Sequence, residues 1–381
     1  MQWIVAVVLI FGAYLSAPKA TLADALSSLS KEAPMKKNVL GTLLWRSQVG
    51  GDVVVAPAIT SELVISISLA QSSRNRAGFV NALDRKTGQQ RWFFDGIVGM
   101  GIAGGVLATP AVTTDGACFG SGGGTLVCLD LQSGKARWEI KGSAPIVVSP
   151  VIAGEQVFFA GEDGRISALE LETGRKRWTF QTGDAIRATP GIEGGYLIVA
   201  SWDGYIYAMN MEGTLVWKFE VSSARPTALA IASEHVVFFD ANSGDVRAVS
   251  FSKQVDTWRI EEVWRFATGQ RNTVRPVLAP GLVCFANPDK GLVTCVDITT
   301  GVPKWTATLG NSPLTPVVEG QHLVVANRVG QISIFDLRTG SLLRYIETGV
   351  AFDSAPSLNN SMLFIGGLDQ TLYAFALELD R

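Results

Sequence analysis

From Pro150 to Gly183 the apolar and polar positions come in four short bursts, each closed by a turn. Val151-Ile152 is followed by the turn Ala153-Gly154, and Gln156 to Ala160 by the turn Glu162-Asp163-Gly164. Arg165 to Leu171 sets Ile166 and Ala168 against Ser167 and Glu170, and after Thr173-Gly174 the run Lys176 to Phe180 ends the unit. A two-residue period over so few positions predicts half-buried strands, and no run is long enough for a helix. Glycine in the turns supplies the positive φ that tight hairpins need. The unit therefore predicts a four-stranded antiparallel sheet. Asp203-Gly204 and Gly123-Gly124 mark the same middle turn elsewhere, and Gly291 and Gly330 match its closing glycine.

The unit repeats. Trp45, Trp92, Trp138, Trp178, Trp217, Trp264 and Trp305 recur at intervals of 47, 46, 40, 39, 47 and 41 residues. Four phrases share the frame small-x-Asp/Glu-x-x-Thr/Ser-Gly-x-x-x-Trp: Ala82 to Trp92, Cys128 to Trp138, Ala168 to Trp178 and Cys295 to Trp305. A period of about 40 residues built from short strands predicts a β-propeller. Inner strands begin near Ala56-Pro57, Thr109-Pro110, Ser149-Pro150, Thr189-Pro190, Thr227-Ala228, Arg275-Pro276, Thr315-Pro316 and Ala355-Pro356, which makes eight blades. The last blade runs through Phe364, Ile365, Tyr373 and Phe375 and lacks an outer strand, which Leu43-Leu44-Trp45-Arg46 is expected to supply. The expected fold is all-β: residues 41–381 form one eight-bladed propeller of four-stranded antiparallel blades, closed by an N-terminal strand that completes the last blade. Two repeats depart from the frame: blade seven has Arg344 at the tryptophan position, and blade five carries an insertion from Lys253 to Glu262. Regular placement in every blade reads the tryptophans as packing, each indole offering its N–H to a backbone carbonyl of the next blade.

Composition agrees with that fold: 47% of the 381 residues are hydrophobic, 17% are charged and 40 are glycine. The formal net charge of −2 and the lack of any run of Lys and Arg argue against nucleic acid as a partner. Trp3 to Leu15 is one apolar run of 13 residues. A membrane-spanning helix needs about 20. The run suits a secretory signal with small residues at Ala17, Ala20 and Ala23, although Met1-Gln2 gives it almost no basic flank. Residues 1–23 are thus expected to be a signal peptide or signal anchor, and residues 24–40 a polar linker.

The phrase Ala82-x-Asp84-x-x-Thr87-Gly88-x-x-x-Trp92 resembles the tryptophan-docking motif of pyrroloquinoline quinone (PQQ) type propeller repeats, over roughly residues 40–381. One branch of that superfamily is the quinoprotein dehydrogenases, which are enzymes. Another is the BamB family, eight-bladed scaffold subunits of the outer-membrane β-barrel assembly machine. In length, blade number, single-domain form and export signal the chain resembles the BamB branch. The resemblance implies a non-enzymatic, periplasmic or otherwise exported protein, acting as a monomer, whose partner is a protein of the cell envelope. It implies no cofactor, and contact with the membrane only indirectly or through the N-terminal segment. The chain departs from that branch in having no cysteine before Cys118, where a lipoprotein would carry its lipid-attachment residue. A quinone-dependent or small-ligand-binding oxidoreductase subunit and an exported polysaccharide- or cell-surface-binding propeller are the alternatives.

Candidate chemistry is sparse. His235 and His322 both fall where a second strand begins, two blades apart, so they cannot meet in a metal site or a nucleophile–base pair. Quinoprotein dehydrogenases carry a vicinal disulfide under the quinone, and this chain has no Cys-Cys pair. Gly99 to Gly104 fits G-x-G-x-x-G, but Pro110 opens a strand six residues later, where the dinucleotide fingerprint needs a helix. No catalytic, cofactor-binding or metal residue is assigned. Cys128 and Cys295 take the small position of the docking frame, and Cys118 and Cys284 align with Phe158 on the preceding strand. Each pair thus faces across one hairpin, and disulfides Cys118–Cys128 and Cys284–Cys295 are expected in an exported protein. The loops that lead into the inner strands converge on one mouth of the central channel. They bring Arg187, Arg225, Arg271 and Arg275, with Asp353 opposite in sequence order, as a candidate partner-binding rim.

Overall fold

A computed structural model describes residues 41–69, 78–97, 108–222, 224–269 and 275–379. The expected leader and linker, the glycine-rich stretch 99–104 and Arg271 lie outside the described residues.

Eight antiparallel sheets follow one another along the chain, and six of them are read off in simple sequence order; in blade one two short strands, Asp52–Val53 and Ala58–Ile59, both pair with Leu63–Leu69. Blade three is typical. Its strands Val151–Ala153, Gln156–Ala160, Arg165–Glu170 and Lys176–Gln181 are those that the alternation predicts. The eighth sheet combines both ends of the ring: Ser357–Asn359, Met362–Gly366 and Thr371–Leu377 are completed by Gly41–Gln48. That strand runs antiparallel to Thr371–Leu377 with Gly41 opposite Leu377, Trp45 opposite Ala374 and Gln48 opposite Thr371. The innermost strands of blades one and eight touch, as do those of one and two, so the ring is closed. Closure leaves no open edge between first and last blade.

One local device repeats around the ring. The outer strand bulges beside the docking position in every blade, from Ala136/Trp138 to Leu43/Trp45. The bulge sets the indole over a small residue of the third strand: Trp92 opposite Ala82, Trp138 opposite Cys128, Trp178 opposite Ala168, Trp305 opposite Cys295. The ring then reaches the next blade. Nε1 of Trp45, Trp92, Trp138, Trp178, Trp264 and Trp305 donates to the carbonyls of Arg85, Leu131, Leu171, Met211, Ile298 and Leu337. The Thr-Gly turn of that next blade lies flat against the indole. A Cβ on Gly301, whose φ is +68°, would stand 2.7 Å from Trp264. Glycine is therefore required there twice, by backbone conformation and by space.

The two irregular blades show what the device needs. In blade seven Arg344 replaces the tryptophan, and the bulkier Ile334 stands opposite it in place of the small residue. Arg344 nevertheless donates from Nη1 to the Glu378 carbonyl of blade eight at 2.6 Å. A long cation thus performs the inter-blade hydrogen bond without filling the indole's volume. In blade five the third and outer strands are lengthened to Asp245–Lys253 and Trp258–Ala267. Trp217 of blade four consequently meets Phe251 at 5.6 Å and Trp258 at 6.3 Å, between ring centroids, instead of a Thr-Gly turn. Its Nε1 is buried with no acceptor among the described residues. Both Trp217→Phe and Trp305→Phe lose the indole's volume, and Trp305→Phe, which also leaves the Leu337 carbonyl unpaired, is expected to cost about 1 kcal/mol more. Urea melts of the two variants side by side check this, and equal losses would mean that the N–H bonds contribute nothing.

The turn carboxylates of the frame cap their own hairpins. Asp84, Asp130, Asp297 and Asp336 accept from the backbone N–H groups of Thr87, Ser133, Thr300 and Thr339. The Ser133 hydroxyl and backbone, with Arg137 beyond, hold Asp130 down to about 2, and Arg175 with Thr173 holds Glu170 at about 2. Cys118 stands opposite Cys128 and Cys284 opposite Cys295 on paired strands, each pair joined as a disulfide, with Cα atoms 4.1 Å apart.

Candidate functional site

In an antiparallel blade the turn between the second and third strands lies at the same end as the connection to the next blade. The docking turns occupy one face of the ring, and these longer connections occupy the other. On that second face three side chains from successive segments stack. Trp202 stands at the tip of the blade-four turn Ser201-Trp202-Asp203-Gly204. Its Nε1 donates to the Pro226 carbonyl at 3.1 Å, which holds the ring upright between blades four and five. The Arg187 guanidinium lies 4.3 Å from the indole centroid and that of Arg225 lies 5.1 Å from it. Cations over an indole face are attracted by the ring quadrupole.

The two arginines differ in their charge balance. Arg187 pairs with Glu162 of blade three through Nη2 and Oε1 at 2.7 Å. No carboxylate among the described residues pairs with the Arg225 side chain. Its backbone is fixed from below instead: Arg225 N donates to Asp240 Oδ1 at 2.9 Å, and its carbonyl accepts from Ala241 N. Asp240 Oδ2 in turn faces Arg247 Nη1 at 3.5 Å, and Arg247 is clamped by Glu262 through Nε–Oε1 at 3.0 Å and Nη2–Oε2 at 2.6 Å. Arg247 is 1% exposed, the largest fully buried side chain among the described residues. A buried ionic network thus anchors the loop that presents Arg225.

Asp203 makes the turn under Trp202 rigid. It accepts from Gly183 N at 2.7 Å, Tyr205 N at 3.0 Å and the Tyr207 hydroxyl at 2.6 Å. Burial, and then the Asp203 carboxylate, raise the Tyr207 pKa, so the phenol stays protonated as the donor.

Of the candidate rim residues, the structure brings Arg187 and Arg225 together around Trp202. It does not bring Asp353 to them: Asp353 pairs with Arg328 at 2.8 Å, between blades seven and eight. Arg275 lies deeper, its Nε donating to the Leu229 carbonyl of the blade-five inner strand at 3.2 Å. Val329 and Leu368, at the tips of the corresponding turns in blades seven and eight, are exposed apolar residues on this same face.

The opposite face has an open groove of about 480 Å3 between blades two and three, lined by Asp115, Arg137, Glu155, Glu170, Glu172 and Arg177 among others. Its charges are spent on each other. Arg137 alone pairs with Asp115, Asp130 and Glu172 at 2.9, 3.2 and 3.3 Å. Among the described residues no group of three His, Cys, Asp or Glu side chains is placed to hold a metal ion. His235 Nδ1 lies 2.7 Å from the Ser233 carbonyl in its own turn.

Trp202 is the residue that reading the sequence missed. The signal was there: with Trp3 and Trp258 it is one of three tryptophans outside the docking series. It also occupies a turn-tip position where blades three, seven and eight have Glu162, Arg328 and Leu368.

A family profile described as outer membrane protein assembly factor BamB matches residues 37–144, 76–186 and 146–346. No curated protein matches the chain. Among solved structures the fold is similar to BamB from Moraxella catarrhalis, with a TM-score of 0.68 and 17% identity over 90% of this chain and 99% of that one. It is similar to the computationally designed Ika8 protein, with a TM-score of 0.72 and 16% identity over 88% and 100%. It is also similar to quinohemoprotein alcohol dehydrogenase from Comamonas testosteroni, with a TM-score of 0.66 and 13% identity over 90% and 77%. At these identities the likeness is one of fold, and a propeller hosts many functions.

Proposed function

Because the chain belongs to the PQQ-like propeller family of outer membrane protein assembly factor BamB, we propose that it is a non-enzymatic, periplasmic protein-binding scaffold that assists outer-membrane protein assembly. The observation that carries this reading is the Arg187–Trp202–Arg225 stack, a rigid aromatic flanked by cations on one face of the ring. Aromatic and arginine side chains held in fixed positions are the anchors that protein interfaces favour. Arg225 keeps its charge available to a partner, so the surface suits an acidic segment of an envelope protein.

Exposed ion pairs are each worth under about 1 kcal/mol, and such charges act more on association rate than on fold stability. Replacing Arg187 and Arg225 by Ala is expected to leave the melting temperature nearly unchanged. It should weaken capture of a soluble periplasmic domain of the assembly machine at low salt. The difference should shrink as salt rises, because screening removes the same contribution. Capture by the double variant equal to wild type at low salt would return the arginines to ordinary surface charge.

The fold likeness to a quinohemoprotein alcohol dehydrogenase motivates a second reading, that of a quinone-dependent subunit. Incubation with PQQ, Ca2+ and a panel of alcohols and aldoses, read by dye reduction, separates the two. Scaffold function predicts no turnover above blank, and sustained turnover would replace it by the enzymatic reading.

A further inference from the structure

The four cysteines of the chain form two disulfides that take the same place in blades two and six. Cys118–Cys128 ties Gly116–Gly120 to Thr125–Asp130, and Cys284–Cys295 ties Leu282–Asn287 to Leu292–Asp297. In each pair the later cysteine stands opposite the docking tryptophan, Trp138 or Trp305. None of the four is more than 1% exposed. Part of what covers them belongs to the following blade. Cys118 and Cys128 pack in one cluster with Val157 and Leu169 of blade three. Cys284 and Cys295 pack with Leu323, Val325 and Phe335 of blade seven. A repeat unit buries its faces only against its neighbours, so each cysteine hairpin stays open until the next blade docks. Thiol–disulfide exchange requires access to the sulfurs, which the docked blade removes. Blades three and seven follow in the chain, so a chain delivered from its N-terminus presents each hairpin before its cover. The partners are only 10 and 11 residues apart, and each cysteine is joined to its neighbour in sequence. A crossed pairing would link blade two to blade six through a far longer loop, which costs more entropy to close.

We propose that the chain is a client of a thiol oxidase of the cell envelope, which oxidises each hairpin before the next blade seals it, and that no disulfide isomerase is needed. One cysteine thiolate of a pair attacks the oxidase's disulfide, forming a mixed disulfide and releasing one oxidase thiolate. The second cysteine, as thiolate, then attacks the sulfur of the first. The intrachain bond forms and the other oxidase thiolate leaves. Two electrons and two protons pass from the pair to the oxidase, whose disulfide becomes a dithiol. The proposal rests on export, as in the reading above, and not on the partner or on the Trp202 face.

The experiment follows free thiols of the full chain by gel shift with a maleimide polymer. Reduced chain is given oxidised glutathione either while unfolded in urea or after refolding under reducing conditions. The unfolded chain is expected to form Cys118–Cys128 and Cys284–Cys295, identified by peptide mapping. The refolded, reduced ring should oxidise about a hundredfold or more slowly, because attack waits for a blade to open. A reduced chain that folds only once oxidised supports the same order of events. Oxidation of the folded ring as fast as of the unfolded chain would overturn it, and crossed links as the main product would overturn the claim that no isomerase is needed. In the source organism, loss of thiol oxidase should leave the chain with four labelled thiols, and loss of isomerase should leave it oxidised. Full oxidation without the oxidase, or free thiols without the isomerase, would overturn the proposal. Four free thiols in wild-type cells would overturn it through its export premise, whereas the refolding arms test the order of events alone.

Discussion

A chain that begins at Val49 is expected to lose the cooperative unfolding that a chain beginning at Gly41 shows. Residues 41–48 are the outer strand of the eighth blade and the only covalent route by which the first and last blades are joined within one sheet. Trp45 is buried, lies 5.7 Å from Phe364 between ring centroids, and donates to the Arg85 carbonyl of blade one at 3.0 Å. Ser47 donates to the Gly88 carbonyl, and Gln48 Nε2 to Thr371 Oγ1 at 2.8 Å. Loss of a buried tryptophan side chain alone costs about 3–5 kcal/mol. Removing the strand also strips the ladder partners of Thr371–Leu377 and opens the ring on both sides. Net stabilities of folded domains are about 5–15 kcal/mol, so the loss is comparable to the whole. Denaturant melts of the two truncations measure it. An unchanged midpoint for the shorter chain would mean that the ring closes elsewhere.

Arg247→Ala is the second large effect. The guanidinium is fully buried between Asp240 and Glu262 and lies 5.4 Å from the Phe238 ring. Taking away one member of a buried ionic group leaves the others uncompensated, which costs about 3–5 kcal/mol. The same deletion frees Asp240, which holds the backbone of Arg225. Arg247→Ala is therefore expected to lower both the melting midpoint and partner capture. Arg225→Ala should lower capture with the midpoint intact. Near-normal stability of Arg247→Ala would show that Asp240 and Glu262 are satisfied without it.

The architecture was legible because the docking frame couples several constraints at once. A tryptophan, a small residue ten positions earlier and a glycine at the turn are each demanded by one packed unit, so the frame recurs wherever the unit does. Even the closing strand was visible, since Leu43-Leu44-Trp45-Arg46 is an outer-strand phrase without its blade. Arg344 read as a departure, although it performs the same inter-blade bond; a backbone carbonyl accepts from either side chain, and only geometry reveals that. The candidate site was less legible. Arg187 and Arg225 could be placed on one face from blade topology alone. Their convergence on Trp202 could not, because it depends on an indole turned by its bond to the Pro226 carbonyl. Asp353 illustrates the limit from the other side. Sequence order put it across the ring from the arginines, and a local partner, Arg328, takes its charge.

The proposed role in outer-membrane protein assembly through the Trp202 face is testable in the cell. The most direct measurement is the steady-state amount of outer-membrane β-barrel proteins in the source organism after the gene is deleted. Wild type and the Arg187→Ala, Trp202→Ala, Arg225→Ala triple variant are then restored at equal abundance. A scaffold acting through that face predicts reduced barrel proteins in the deletion strain, recovery with wild type and failure of the triple variant to restore them. Unaltered barrel proteins in the deletion strain, or full recovery with the triple variant, would contradict it.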